Sequence, residues 1–266
     1  MGRRRLVVFG DSWVEGQRKI PKLEITPYNM VYHLGQKLGC EVVNRGKFGS
    51  SNESIGNEVI RWISNNDTSN DVFLVVWSEM KRIVEQNRHV FRDTNTGAIY
   101  RYDDWQHLTG GSREHEDIRT KYFPHFRAPA YHRLMFENCM HCIRMLCHDY
   151  DIPFLMSNSI DTTPMHGTIY YQGKDRKINY QMGKSLDDFI EGYKPNNSLL
   201  DILTNRWIRE DVQDLSMITK HSVLMNDYDR NPDKYPLLTK CVHPTDEGHE
   251  FIAATLAPYI QPILEK

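Results

Sequence analysis

The stretch Leu6-Val7-Val8-Phe9-Gly10-Asp11-Ser12-Trp13 decides how this chain is read. Four apolar residues, two of them β-branched, run directly into Gly10, Asp11 and Ser12. That pattern is a buried strand that delivers a polar loop at its carboxyl end.

Outward from there, strands and helices alternate. Thr26 and Pro27 predict a helix start, as N-cap and first helical residue. Tyr28, Val31, Tyr32, Leu34 and Leu38 would be its apolar positions and Gly39 its end. A second strand is expected at Glu41–Asn44, then a glycine-bearing loop from Arg45 to Asn52. A helix follows over Ser54–Ile63, with Ile55, Val59, Ile60 and Ile63 on one side. Asp71–Trp77 is unbroken in its hydrophobicity, as expected for a strand covered on both faces of a parallel sheet. Tyr131–Tyr150 reads as a helix whose apolar face carries Met135, Cys139, Cys142 and Leu146. Pro153–Met156 reads as a fourth strand. A last helix follows His243-Pro244, with Phe251, Ile252, Thr255, Leu256, Tyr259 and Ile260 as its apolar set.

This alternation predicts an α/β fold of three layers, a flavodoxin-like parallel sheet between helices, in a single domain over residues 1–266. Two insertions interrupt it, at about 83–130 and 161–239. The first is rich in Arg, Asp, His and Tyr and is expected to be a partly helical cap. Its aromatic residues, Trp105 and Tyr122 among them, are candidates for a cleft wall. The second is expected to hold helices near 185–191 and 198–215 and a weak strand at Ser222–Met225.

Composition excludes several classes. The chain has 33 Lys plus Arg against 35 Asp plus Glu, a formal charge of -2, so no electrostatic case exists for a nucleic-acid partner. No run approaches the roughly 20 apolar residues of a membrane helix. Arg3-Arg4-Arg5 is followed by too short an apolar run for a secretory signal, which points to cytoplasmic synthesis. Five cysteines (40, 139, 142, 147 and 241) form no disulfide framework. Cys139-Met-His-Cys142 has metal-ligand spacing, but it lies in the helical pattern with both cysteines on the apolar face, where free cysteine packs as a small hydrophobe. No metal or cofactor is expected.

Open parallel sheets carry their sites at the carboxyl ends of strands. Ser12 follows the first strand, Gly49 the second, and Ser78-Glu79 the third, while His243 precedes the last helix. A serine hydroxyl needs a base within hydrogen-bond reach, and histidine titrates in the right range to supply one. Backbone N–H groups at glycine-bearing turns can hold the resulting oxyanion.

Three blocks then resemble one family. Phe9-Gly10-Asp11-Ser12-Trp13 is similar to the first block of the SGNH/GDSL hydrolases, Asn44-Arg45-Gly46-Lys47-Phe48-Gly49 to the second, and His243-Pro244-Thr245-Asp246-Glu247-Gly248-His249 to the last. The resemblance implies Ser12 as nucleophile, His243 as general base and Gly49 as an oxyanion donor. It implies a small ester, or an acylated glycan, as substrate. His249 is expected to be a helix-packing residue.

The sequence departs from the family in two places. The third block usually brings an oxyanion-binding Asn, and here reads Trp77-Ser78-Glu79-Met80. An ionised Glu79 would repel an oxyanion, so Ser78 or Arg82 is the expected substitute. The family's Asp three residues before the histidine is replaced by Lys240. These departures keep two other readings open: a non-catalytic module that binds a glycan or a protein, and an acyltransferase using the same serine.

Overall fold

Seven consecutive residues, Asp71–Trp77, are buried along their whole length and form the strand on which the rest is built. The computed structural model describes residues 4–16, 18–19, 24–25, 28–78, 83–86, 90–92, 99–101, 105–108, 129–159, 166–170, 177–181, 198–204, 228–239 and 242–265. The first part of the chain gives β1 (Arg5–Gly10), α1 (Ser12–Glu15), β2 (Arg18–Lys19), β3 (Glu24–Ile25) and α2 (Met30–Leu38). It continues with β4 (Val42–Gly46), α3 (Asn52–Asn65) and β5 (Asp71–Trp77). Four short strands follow: β6 (Ile83–Gln86), β7 (Val90–Arg92), β8 (Ile99–Arg101) and β9 (Trp105–Leu108). Next come α4 (Pro129–Asp149), β10 (Phe154–Asn158), β11 (His166–Tyr170) and β12 (Lys177–Gln181). The chain then forms α5 (Leu199–Thr204), a 3-10 turn at Pro232–Lys234 and α6 (Asp246–Leu264).

The main sheet has the order β10-β5-β1-β4, and all its pairings are parallel. Numbered along the chain, that order is 2-1-3-4, the flavodoxin-like arrangement whose crevice opens between the ends of the first and third strands. Because successive strand residues point to opposite faces, the sheet feeds two cores. Leu6, Val8, Val72, Leu74, Val76 and Leu155 pack with α2, α5 and α6 on one face. Val7, Phe9, Phe73, Val75, Trp77, Phe154 and Met156 pack with α3 and α4 on the other. Full burial of one such side chain stabilises the fold by about 1.5–3 kcal/mol. At the amino-terminal edge, Asp71 accepts bonds from Arg5 Nε and Trp62 Nε1, both at 2.8 Å, and so ties β1 to α3 and β5.

Several expectations change. Helix α2 begins one turn later than Thr26-Pro27 suggested: its N-cap is Asn29, whose side chain accepts from the N–H groups of Val31 and Tyr32. Thr26 and Pro27 lie outside the described residues, and Tyr28 and Tyr32 are exposed. Ile60 and Phe251 are exposed too, while Ala253 joins the core instead. On α4 the buried row is Phe136, Met140, Ile143 and Cys147, so the core face is turned one residue from the expected one and Cys142 faces solvent. In the first insertion the described residues form two antiparallel pairs, β6 with β9 and β7 with β8, where a partly helical cap was expected. In the second, β11 pairs with β12. Of the helix expected at 198–215 the described part is α5. The helix near 185–191, the strand at Ser222–Met225 and the aromatic residue Tyr122 lie outside the described residues. No helix among the described residues is long and apolar enough to cross a membrane.

One close approach places the functional end. A Cβ on Gly46 would lie 2.3 Å from Glu15 N and 2.8 Å from Val14 C, so α1 rests on the end of β4 where only glycine fits. Gly46→Ala must push α1 away, and overpacking of this kind costs about 1–3 kcal/mol. Urea unfolding should show a lower midpoint for the variant; an unchanged midpoint would contradict this contact.

Candidate active site

Ser12 owes its place to a one-turn helix set on the end of β1. Asp11 is the N-cap: its Oδ1 accepts from Trp13 N–H at 3.0 Å, and its carbonyl accepts from Val14 and Glu15. The chain thus reverses directly after the strand and holds the serine at the sheet's carboxyl edge.

His243 arrives from the far end of the sequence. Its Nε2 lies 2.8 Å from Ser12 Oγ, across a separation of 231 residues. The loop before it is a closed frame. Thr239 Oγ1 accepts from His243 N–H at 3.2 Å and donates to His243 O at 3.1 Å, and Thr239 N–H donates to the same carbonyl at 2.8 Å. Val242 is buried with φ 57, a left-handed conformation that a β-branched residue resists at a cost on the order of 1–3 kcal/mol. Packing of its side chain in the core holds that strained residue next to the histidine. Trp13, fully buried, lies beside the imidazole with ring centroids 6.4 Å apart.

Behind the serine is a buried polar knot. Asp11 has no solvent exposure, and its Oδ2 accepts from Ser78 Oγ at 2.8 Å and from Ser159 Oγ at 3.2 Å. Asn52 clasps the same strand end, its Oδ1 accepting from Ser78 N–H at 2.8 Å. Ser78 was expected to aim its hydroxyl at an oxyanion. Its single proton goes to Asp11 instead, because a buried carboxylate is the stronger acceptor. Glu79, Arg82 and Lys240 lie outside the described residues.

Gly49 is buried in the β4–α3 loop with φ 74, a backbone state suited to glycine. Among the described residues none accepts a hydrogen bond from the N–H of Gly49 or of Ser12. The structure therefore brings together Ser12, His243, Ser78 and the Gly49 loop. Asn52 and Ser159 join them without having been singled out in sequence. A signal for Asn52 existed: it is the only amide side chain at the start of α3, directly after the capping residue Ser51.

His249 is fully buried on α6, and neither ring nitrogen has a hydrogen-bond partner. Burial, then the charges of His243 and His33, push its pKa down to about 3. Burial likewise pushes the Cys139 thiol up to about 12, which disfavours the thiolate a metal would need. Among the described residues no group of three or more His, Cys, Asp or Glu side chains is placed to hold a metal ion.

No family model and no curated protein matches this chain. Solved structures do match. One is of a carbohydrate acetylesterase family member from Sinorhizobium meliloti, at 10% identity and TM-score 0.45, covering 99% of this chain and 100% of that one. Another is of a member of the lipolytic protein G-D-S-L family from Veillonella parvula, at 11% identity and TM-score 0.41, covering 96% and 97%.

Two outcomes follow. Asp11→Ala leaves the hydroxyls of Ser78 and Ser159 without their acceptor and should cost about 1–3 kcal/mol for each buried group left unsatisfied. Asp11→Asn keeps an acceptor and should cost less; equal urea midpoints for the two variants would contradict the knot. Above about pH 6.5, the usual histidine value, His249 is neutral in both states. As pH falls towards 3, the unfolded chain takes a proton that the native imidazole refuses. Stability drains over that window, by up to about 1.4 kcal/mol per pH unit. His249→Leu should flatten the fall in unfolding midpoint between pH 7 and pH 5; an unaltered slope would count against it.

Proposed function

We propose that this chain is a serine ester hydrolase of the SGNH/GDSL type, acting on a small ester such as an O-acetyl group on a carbohydrate. The observation that supports it most is the 2.8 Å contact between Ser12 Oγ and His243 Nε2. In this reading Nε2 is the acceptor and Nδ1 carries the ring proton.

Ser12 Oγ attacks the acyl carbon while its proton passes to Nε2. The carbonyl oxygen becomes an oxyanion and accepts from the N–H groups of Ser12 and Gly49. Collapse breaks the bond to the alcohol oxygen, which takes the proton from His243, and the acyl group stays on Ser12. Water, deprotonated by His243, then repeats the sequence and releases the acid. Ser78, next after β5, donates its hydroxyl hydrogen bond to Asp11 Oδ2, so that hydroxyl is not offered to the oxyanion. Loss of one oxyanion donor typically lowers kcat by about 10²–10³.

The test is hydrolysis of p-nitrophenyl acetate and butyrate by wild type, Ser12→Ala and His243→Ala. Each variant should fall by at least about 10³-fold, towards background. Variants as active as wild type would refute the reading. Three equally inactive proteins that bind an acylated glycan saturably would favour the binding-module alternative, which the altered use of Ser78 supports.

A further inference from the structure

We propose that the Thr239 hydroxyl holds the backbone of His243 so that its imidazole reaches Ser12, which makes Thr239 a positioning residue for the hydrolysis; this rests on the esterase reading above. The resemblance would place an Asp at residue 240, and a lysine stands there. Main-chain contacts constrain His243 from another direction. The chain doubles back between Leu237 and Thr245. Thr245 N–H donates to Leu237 O at 2.9 Å and Thr239 N–H to His243 O at 2.8 Å, on either side of the antiparallel bridge between Leu238 and Pro244. Val242 N–H closes the turn by donating to Thr239 O at 2.8 Å. In three-residue hairpin turns the last position is left-handed and commonly glycine. Here it is Val242, at φ 57 and with no solvent exposure.

A β-branched residue at positive φ gains by relaxing towards extended backbone. Rotation at Val242 would swing His243, the next residue, away from Ser12. Beyond the histidine the chain is fixed: Thr245 Oγ1 caps α6 by accepting from Gly248 N–H at 3.1 Å. Gly248 is packed so tightly that a Cβ there would lie 2.3 Å from Leu237 O. Before it, the Thr239 hydroxyl opposes the rotation at both backbone groups of His243. Its Oγ1 accepts from His243 N–H at 3.2 Å and donates to His243 O at 3.1 Å. A hydroxyl can do both at once, whereas the methyl of a valine of the same shape can do neither. The result is His243 Nε2 at 2.8 Å from Ser12 Oγ. Proton transfer needs about 2.6–3.2 Å, so a shift of about 1 Å takes the base out of reach.

The experiment measures kcat and KM on p-nitrophenyl acetate for wild type, Thr239→Val, Thr239→Ser and Ser12→Ala. Rates are referred to the protein that circular dichroism shows to be folded. Thr239→Val should lose about tenfold to a hundredfold in kcat, with KM within about twofold of wild type. The rate of fluorophosphonate labelling at Ser12 should fall by the same factor. Thr239→Ser restores the hydroxyl and should recover kcat to within about threefold of wild type. Thr239→Ala removes the hydroxyl without the branched side chain and replaces Thr239→Val if that variant does not fold. Wild-type kcat in a folded variant without the hydroxyl overturns the positioning role alone, and so does a Thr239→Ser as impaired as Thr239→Val. Failure of Ser12-dependent turnover in wild type overturns the esterase reading and the positioning role with it.

Discussion

The carboxylate of Asp11, withdrawn from solvent, gathers the ends of three strands. It sits at the end of β1, accepts hydrogen bonds from the hydroxyls of Ser78 after β5 and Ser159 after β10, and caps α1 by accepting from Trp13 N–H. A buried charge is tolerated only when hydrogen bonds replace the water it has lost. The strand ends therefore cannot drift apart without breaking the hydrogen bonds that Asp11 accepts from Ser78 and Ser159. Ser12 is the next residue, so the same constraint that closes the sheet's carboxyl edge also fixes Ser12. Asn52 and Gly46 work to the same end, one by clasping the Ser78 backbone and the other by letting α1 lie on β4.

Stability and function draw on this edge differently. The two apolar layers hold the fold, and the amino-terminal edge is locked by Asp71 with Arg5 and Trp62. At the carboxyl edge lie the features that cost free energy: a buried carboxylate, a valine at φ 57, and a buried histidine that has no hydrogen-bond partner. Such costs persist where surrounding packing fixes the geometry, and they cluster at sites that must be preorganised. The frame from Thr239 to His243 does for His243 what Asp11 does for Ser12.

Much of the fold was legible because its strongest signals are periodic. The unbroken run at Asp71–Trp77 and the strand before Ser12 could hardly be read otherwise, and together with the helices between them they define a parallel sheet. Helix α4 was harder, since two adjacent rows, Met135-Cys139-Cys142-Leu146 and Phe136-Met140-Ile143-Cys147, are both apolar and only packing against β5 and β10 selects one. The start of α2 was misread because Pro27 is a strong signal, whereas the two bonds accepted by the Asn29 side chain decide the matter. Ser12, His243 and Gly49 could be named from spacing and resemblance. The use of Ser78 could not, because a hydroxyl's direction depends on which acceptor is nearest in space, and Asp11 lies 67 residues away in sequence.

The central claim is that Ser12 is a nucleophile made reactive by His243. Its most direct test is covalent: treat the folded protein with a serine-directed fluorophosphonate and map the modified peptide by mass spectrometry. The account predicts one label, on Ser12, that is lost in His243→Ala while the fold is retained. Absence of label on Ser12, or equal labelling with and without His243, would contradict it.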